Sequence, residues 1–289
     1  MRELRDRVAV VTGAASGIGL ALAERFAAEG MTIVMADVEA PALAAAADSL
    51  RRTAPAVLAS VVDVARPDDV ERLAREAYAA FGAAHVLCNN AGVAVLGAVH
   101  EHSLADWQWV MGVNFWGVVY GLQAFVPHML AHGESGHIVN TASLAGLMPG
   151  GGTYGISKHA VLALTEGLHR DLKTRNANIS ASVLCPGFVN TQIFDAERNR
   201  PAELKAGTAP ELAAGMREVG RAMLAQGKAP AEVADIVFES IAADRFYILP
   251  HPAWDPIVRA RVEHVLQRGA PLTMDMEDMA RRRAAGEKF

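Results

Sequence analysis

The chain has 289 residues, is 52% hydrophobic and 20% charged, and carries a net charge of −5 at neutral pH. This length and apolar content are sufficient for one large domain or two small ones with a substantial buried core. The acidic balance argues against nucleic acid binding, which needs a basic surface to neutralise phosphates.

Short β-branched segments alternate with helical segments rich in Ala and Leu along most of the chain. This alternation predicts βαβ units, a parallel sheet and right-handed crossovers that place helices on both faces. The fold class expected is therefore α/β, with a doubly wound, mostly parallel, seven-stranded sheet. The predicted strands are 8–12, 32–37, 57–63, 86–89, 137–141, 179–184 and 246–249, and the predicted helices are 17–29, 41–52, 67–81, 103–132 with a kink at Pro127, 154–175, 231–242 and 256–266.

The alternating pattern is not interrupted by a linker, a repeat or a low-complexity segment, so we predict a single domain over residues 1–289. Two regions depart from strict alternation. A polar, Ala-rich region at about 192–228 has a helical pattern and is expected to be an insertion that contacts substrate. A C-terminal extension follows at about 250–289.

A glycine-rich turn joins the first predicted strand to the first helix, in the sequence Thr12-Gly13-Ala14-Ala15-Ser16-Gly17-Ile18-Gly19. In a Rossmann fold such glycines allow a tight turn, close approach to a pyrophosphate and close packing of the helix on the sheet. The amide groups at the helix start then face the anion. The turn predicts a dinucleotide site that includes Gly13, Ser16, Gly17, Ile18 and Gly19.

Asp37 ends the second predicted strand, 18 residues after Gly19. A carboxylate there can accept hydrogen bonds from the ribose hydroxyls of NAD and would repel a 2′-phosphate. Ser16 and Val38 offer no cation to that phosphate, so NAD is predicted over NADP. The alternative is that Asp37 is only a turn residue. Asp63 ends the third predicted strand and can reach the adenine edge, and Val64, which follows it, can pack on the adenine ring.

The sequence Tyr154-Gly155-Ile156-Ser157-Lys158 opens a predicted helix and puts a phenol and an ammonium one turn apart. The ordinary pKa of a phenol is about 10, and a nearby cation lowers it. This spacing predicts that Tyr154 is a general acid/base at neutral pH.

These motifs together resemble the short-chain dehydrogenase/reductase family in its single-domain form, over about residues 5–250. The resemblance rests on an ordered set of motifs: the glycine turn, Asp63-Val64, Asn89-Asn90-Ala91-Gly92, Asn114, Ser143, Tyr154 with Lys158, and Pro186-Gly187 with Thr191.

The resemblance implies an NAD-dependent oxidoreductase that interconverts a secondary alcohol and a ketone. Tyr154 would exchange the hydroxyl proton, Ser143 would bind the substrate oxygen, and Lys158 would bind the nicotinamide ribose. Asn114 would hold a water in a proton relay to Lys158. The adenosine side would be lined by Asn90, Ala91 and Gly92, with Asn90 as the principal contact, and the nicotinamide by Pro186, Gly187, Val189 and Thr191.

Eleven positions separate Ser143 from Tyr154, where the family more often has twelve or thirteen. Thr141 lies thirteen positions before Tyr154 and is an alternative hydroxyl. We prefer Ser143, because Ser143-Leu144-Ala145-Gly146 matches the local pattern of the family. The short loop predicts an open substrate mouth.

The substrate is expected to be a small, apolar alcohol or ketone. Leu147, Met148, Phe188, Phe194 and Met216 are equally candidates for the substrate pocket and for ordinary core packing. Trp107, Trp109 and Trp116 fit a homodimer or homotetramer contact as well as internal packing.

Further expectations are negative. No metal site is expected, because His128 and His132 have no third ligand nearby. Two cysteines, Cys88 and Cys185, are too few for a disulfide scaffold. No signal peptide and no apolar stretch near the ~18 residues of a membrane span are predicted, so a cytoplasmic protein without a membrane contact is expected.

The alternative function is a non-catalytic, NAD-binding regulatory protein on the same fold.

Overall fold

A computed structural model of the chain describes residues 4–205 and 211–272. Most predicted elements are present within one or two residues of their expected ends. The strands are β1 Val8–Thr12, β2 Thr32–Asp37, β3 Val57–Val61, β4 Val86–Asn89, β5 Gly136–Thr141, β6 Ile179–Leu184 and β7 Tyr247–Ile248. The helices are α1 Gly17–Ala28, α2 Ala40–Leu50, α3 Pro67–Phe81, α4 Leu104–Met111, α5 Gly117–His132, α6 Gly152–Thr174, α7 Glu211–Ala225, α8 Pro230–Ala242 and α9 Asp255–Leu266.

The seven strands form one sheet in the order β3-β2-β1-β4-β5-β6-β7, and every pairing between neighbours is parallel. The predicted doubly wound α/β class is confirmed. The strand order reverses between β1 and β4, where the chain crosses from one half of the sheet to the other. In open α/β sheets the crevice beyond the carboxyl ends of the strands at this point is the usual ligand site.

Both faces of the sheet are buried, which explains why the strands read as continuous apolar runs. In β2, Ile33 and Met35 face one core while Val34 and Ala36 face the other. Phe26 from α1 packs in the first core with residues of α8. The second core contains residues of α3 and α5.

Helix α3 illustrates how local signals set the ends of an element. Pro67 occupies the first turn, where its missing amide hydrogen costs nothing, and Asp68 and Asp69 interact with the positive end of the helix. Gly82 ends the helix at φ 75°, a left-handed conformation that glycine adopts without strain.

The helix predicted over 103–132 differs from expectation in its interior. Ser103 and Asp106 form the predicted cap as a reciprocal capping box. A π-helical segment, Gly112–Trp116, then separates α4 from α5, and the helix continues through Pro127 to His132. A π-helical turn contains one extra residue, so the regular α-helical hydrogen bonding is interrupted at Gly112–Trp116.

The stretch Leu104–His132 also corrects an expectation about apolar length. It has 29 residues and contains an 18-residue window with a mean hydropathy of 1.3, which is long and apolar enough to cross a membrane. Phe125 and Met129 from this stretch are fully buried in the core beside the sheet, and 39% of the window is buried.

The two regions outside the alternating pattern contain short helices. The region predicted as an insertion holds two 3₁₀ segments, Ile193–Asn199 and Ala202–Leu204, followed by α7. The extension holds a 3₁₀ turn, Pro252–Trp254, and α9. Residues 206–210 and 273–289 lie outside the described residues. Cys88 and Cys185 are free and buried, and burial raises the pKa of the Cys185 thiol to about 12.

Close packing of α5 on the sheet generates a stability prediction. A Cβ at Gly121 would lie 2.2 Å from Oδ1 of Asn89, a buried side chain that donates a hydrogen bond to Asn140. We expect Gly121→Ala to lower the free energy of unfolding by about 2 kcal/mol, because the site is overpacked. Urea denaturation measures the change.

The control is Gly167→Ala in α6, where a Cβ meets nothing within 4 Å. This substitution should raise the free energy of unfolding by about 0.5–1 kcal/mol, because alanine favours a helix over glycine. Equal effects of the two substitutions would contradict the packing argument.

Candidate active site

A cavity of about 520 Å³ lies at the carboxyl ends of the strands, around the point where the strand order reverses. Most predicted site residues line it, although they come from seven different segments of the chain. Those residues are Gly13, Ser16, Gly17, Ile18, Asp37, Asp63, Val64, Asn90, Ala91, Gly92, Ser143, Tyr154, Lys158, Pro186, Gly187, Val189 and Thr191. Two predicted residues, Gly19 and Asn114, do not line the cavity.

The glycine turn between β1 and α1 forms one wall of the cavity. Gly13 and Gly17 have φ angles of 65° and 56°, which only glycine adopts readily. A Cβ at Gly19 would lie 2.0 Å from the carbonyl oxygen of Gly13, so the third glycine is needed for packing within the turn. Ser16, Gly17 and Ile18 at the start of α1 line the cavity, so the positive end of this helix borders it, as an anion site requires.

Asn90 holds the glycine turn in place. Its side-chain Nδ2 donates to the carbonyl of Thr12 at 3.1 Å, and its backbone N–H donates to Oγ1 of Thr12 at 3.0 Å. Its Oδ1 accepts a hydrogen bond from Oγ1 of Thr141 at 3.3 Å. The side chain expected to be the principal adenosine contact thus already has protein partners at both ends, and it ties β1, β4 and β5 together.

Asp37 lies at the edge of the cavity with its carboxylate fixed by two backbone amides. Oδ2 accepts from the N–H of Ala15 at 2.9 Å, and Oδ1 accepts from the N–H of Glu39 at 3.0 Å. Each carboxylate oxygen keeps a second lone pair for a further donor. Asp37 is therefore both a turn residue and an acceptor that faces the cavity.

Beside Asp37, two segments that are distant in the sequence make a contact that no sequence pattern predicts. Oε1 of Glu39 accepts from Arg198 at 2.6 Å and from Nδ2 of Asn199 at 2.8 Å. The hydrogen bond from Arg198 lowers the pKa of Glu39 most strongly. Arg198 and Arg66 both line the cavity, so cations do lie near the adenosine end. They were missed because they are far from Asp37 in the sequence.

Asp63 and Val64 close the adenosine end. Oδ1 of Asp63 accepts from the N–H of Ala65 at 3.0 Å, and its own N–H donates to Asp69 at 3.1 Å. Val64 is held by contact with Gly117, where an added Cβ would lie 2.9 Å from its methyl group.

Tyr154 and Lys158 lie in the first two turns of α6, on the same side of the cavity. The ammonium of Lys158 is 5.6 Å from the ring centre of Tyr154 and donates to the carbonyl oxygen of Thr141 at 2.9 Å. Lys158 is only 3% exposed, and burial lowers its pKa to about 8. The lysine is thus a buried group that titrates near neutral pH.

The expected effect of Lys158 on the phenol needs correction. Burial raises the pKa of Tyr154 above its ordinary value, and a hydrogen bond with Ser143 partly opposes this rise. Loss of water around the phenol is the largest cause of this shift.

The structure distinguishes the two candidate hydroxyls. Ser143 interacts with the hydroxyl of Tyr154 and lowers its pKa. Its Oγ also accepts from the N–H of Ala145 at 3.1 Å and donates weakly to the carbonyl of Pro186 at 3.4 Å. The hydroxyl of Thr141 points instead to Asn90. The geometry therefore favours Ser143, in agreement with its local motif.

Asn114 lies in the π-helical segment and is fully buried. Its amide pairs with both backbone groups of Val93, at 2.8 and 3.0 Å, and donates to Oγ of Ser157 at 2.9 Å. Both amide hydrogens are therefore used, and Oδ1 keeps one lone pair among its described contacts. An added Cβ at Gly92 would lie 3.5 Å from this Oδ1 and 3.4 Å from Nζ of Lys158, so both atoms border the same glycine.

One wall of the cavity is apolar and is formed by residues other than those expected. Trp109 is 3% exposed, lines the cavity and packs with Val93 and Ala196. The guanidinium of Arg200 lies 4.3 Å from the Trp109 ring centre and forms a buried ion pair with Asp106 at 2.7 Å. This cluster fastens the segment after β6 to α4.

The expected pocket residues pack elsewhere. None of Leu147, Met148, Phe188 and Phe194 lines the cavity. Leu147 and Phe188 pack with Leu144 and Trp254, and Phe194 lies against Gly220. The side chain of Met216 lies outside the described residues. Leu147 and Phe188 therefore pack in a hydrophobic cluster, and Met148 is buried.

Comparisons with known proteins agree with this geometry. The family described as short chain dehydrogenase matches residues 7–202. A CLA biosynthesis dehydrogenase/reductase of Lactiplantibacillus plantarum is 34% identical over 94% of this chain and 97% of its own length. A 1-deoxy-11-beta-hydroxypentalenate dehydrogenase of Streptomyces exfoliatus is 41% identical over 85% of this chain and 83% of its own. A short-chain dehydrogenase/reductase from Burkholderia phymatum, solved in complex with NAD, is 44% identical, with a TM-score of 0.93 and coverage of 95% and 99% of the two chains.

The buried lysine generates a prediction about stability and pH. Below about pH 8 the buried ammonium is charged and costs stability; as the pH rises from about 8 towards 10.5, the folded state loses this proton before the unfolded state does. The unaltered protein should therefore gain about 2 kcal/mol relative to Lys158→Met between about pH 7.5 and about pH 9.5. Urea denaturation at the two pH values measures the difference.

Lys173→Met is the matched control, because Lys173 lies in the last turn of the same helix with its side chain 59% exposed. Its effect on stability should be small and equal at both pH values. A pH-independent difference for Lys158→Met would show that the lysine is not an energetically costly buried cation.

Proposed function

This chain belongs to the short-chain dehydrogenase/reductase family, and we propose that it interconverts a secondary alcohol and a ketone with NAD, using Tyr154 as general acid/base. The family makes it an oxidoreductase that acts on CH–OH groups of small molecules with a nicotinamide dinucleotide. The observation that carries the finer proposal is the convergence of Tyr154, Ser143 and Lys158 on one cavity that also contains the glycine turn and Asp37.

The cavity fits a dinucleotide at both ends. Ser16, Gly17 and Ile18 bring the amino end of α1 to the cavity, where its backbone amides would bind the pyrophosphate. Asp37 would accept the adenosine ribose hydroxyls, Lys158 would bind the other ribose, and the segment with Gly187, Val189 and Thr191 would line the nicotinamide. When bound, the nicotinamide accepts a hydride from the alcohol carbon or returns one to the ketone.

The proton of the reaction is handled by residues of this chain. Tyr154 takes the hydroxyl proton of the alcohol during oxidation and returns it during reduction. Ser143, which lines the same cavity as Tyr154 and lowers its pKa, would hold the same substrate oxygen. Lys158 lies one turn further along the helix and can pass a proton on, because its pKa of about 8 is close to neutral pH.

Discrimination between NAD and NADP would come from two carboxylates. Asp37 faces the cavity with both oxygens fixed by amides. Glu39 forms an ion pair with Arg198, so this guanidinium is already neutralised and is less available to a 2′-phosphate. The two carboxylates favour the ribose hydroxyls of NAD over a 2′-phosphate, although Arg66 also lines this cavity.

The apolar walls around Trp109 and Leu204 favour an apolar substrate. We also propose a cytoplasmic homodimer or homotetramer that acts on it. The exposed apolar side chains Trp116 and Ile156, 47% and 40% exposed, lie in the α5 and α6 region and suit such a contact.

The catalytic role of Tyr154 is tested by Tyr154→Phe. Removal of the phenolic hydroxyl should lower kcat for alcohol oxidation by at least ~100-fold, the contribution of a general acid/base, while NADH binding stays within about twofold. Initial rates by NADH absorbance with a panel of secondary alcohols, and calorimetric NADH titration, measure the two quantities.

Tyr247→Phe is the control, because the hydroxyl of Tyr247 bonds Glu166 outside the cavity. The Tyr247→Phe variant should oxidise alcohols at the rate of the unaltered protein. An unaltered protein that binds NADH but oxidises no alcohol would favour the regulatory alternative, and a fully active Tyr154→Phe would exclude the proposed mechanism.

Cofactor choice is tested by Asp37→Asn, which removes a charge and keeps the acceptor oxygen. The unaltered protein should bind NADH at least ~10-fold more tightly than NADPH, and the substitution should reduce that ratio mainly by improving NADPH binding. Calorimetry with both cofactors measures the ratio, with Asp48→Asn, an exposed residue of α2, as the control. Tighter binding of NADPH by the unaltered protein would overturn the preference.

A further inference from the structure

His251 lies in the extension beyond β7, but the sheet places it beside the cavity wall. Leu184 at the end of β6 pairs with Ile248 in β7 in parallel register. Gly187 and His251 are each three residues further along their strands. Because parallel strands keep their register as they leave the sheet, the two residues meet at its carboxyl edge.

Both ring nitrogens of His251 bond to the backbone of the segment after β6. The N–H of Gly187 donates to Nδ1 at 3.0 Å, so Nδ1 carries no hydrogen. The ring is therefore protonated at Nε2, which donates to the carbonyl oxygen of Phe188 at 3.0 Å. A single imidazole in one tautomer thus fixes two consecutive residues.

Further backbone hydrogen bonds hold the same segment in place. The carbonyl of Phe188 also accepts from the N–H of Lys228, and the carbonyl of Pro186 accepts from the N–H of Leu144, next to Ser143. A Cβ at Gly187 would lie 3.0 Å from Cδ1 of Leu144 and 3.2 Å from the imidazole of His251, so a larger residue would displace these neighbours. The segment is held on one side by Leu144 and on another by His251.

His251 itself does not line the cavity, whereas Pro186, Gly187 and Val189 do. The imidazole is 5% exposed and lies behind this wall. It can therefore affect a bound molecule only through the backbone that it holds.

We propose that His251 is a positioning residue for the nicotinamide end of the cofactor. Its imidazole fixes Gly187 and Phe188, and thereby orients the backbone of Pro186, Gly187 and Val189 along the cavity. This inference rests on the proposed function, because it assumes that the segment lines the nicotinamide. It assigns a role to the beginning of the C-terminal extension, which the family pattern does not require.

The test compares two ligands that differ at the nicotinamide. NADH reaches the segment that His251 holds, whereas ADP-ribose lacks the nicotinamide and depends on the adenosine end. We expect His251→Leu, which removes both bonds, to weaken NADH binding about tenfold and to change ADP-ribose binding less than about twofold. Calorimetry with the full chain measures both affinities. His251→Asn, which keeps one acceptor, should lose less, about threefold for NADH.

The matched control is His85→Leu. His85 is also 5% exposed, and its Nδ1 also accepts a backbone hydrogen bond, from Val8 at 3.0 Å, but it lies at the amino edge of the sheet. This variant should bind both ligands as the unaltered protein does, even where its melting temperature is lower.

Three results would overturn the proposal: unchanged NADH affinity in folded His251→Leu, equal losses for NADH and ADP-ribose, or the same selective loss in His85→Leu. If His251→Leu does not fold, the ratio of the two affinities in His251→Asn decides. Failure of the unaltered protein to bind NADH would instead overturn the proposed function, and the positioning role with it.

Discussion

The parallel alignment of all seven strands is the constraint on which the rest of this structure depends. Every strand ends at the same edge of the sheet, so residues that follow different strands meet there regardless of their distance in the chain. Asp37, Asp63, Asn90, Ser143 and Gly187 each follow or end a different strand, and all line the same cavity. The price of this arrangement is that helices must cover both faces.

Residues whose position depends on the end of a strand could be predicted from sequence. The glycine turn, Asp37, Ser143 and Tyr154 are local signals next to well-marked elements, and the structure brings them to one cavity. Contacts between distant segments could not be predicted in the same way. Glu39 and Arg198 are 159 residues apart, and no pattern near either one indicates the other. The π-helical segment around Asn114 escaped for a different reason, since one inserted residue barely disturbs helical periodicity.

The buried charge of Lys158 lowers the stability of the folded chain. A buried ammonium is costly, and Lys158 is held by a single carbonyl of Thr141 beside a phenol whose pKa burial raises. Replacement by an apolar side chain would relieve that cost but would remove the group that titrates close to neutral pH. The groups around Lys158 are held rigidly, because Asn114 uses both of its amide hydrogens and Asn90 connects three strands.

The segment after β6 is held by contacts with two distant parts of the chain. Arg198 and Asn199 bond Glu39 after β2, and Arg200 bonds Asp106 in α4 while its guanidinium lies over Trp109. Three consecutive side chains therefore connect two walls of the cavity, because Glu39, Arg198, Asn199 and Trp109 all line it. These contacts arise from tertiary structure and carry no local sequence signal, so neither partner could be inferred from the residues around the other.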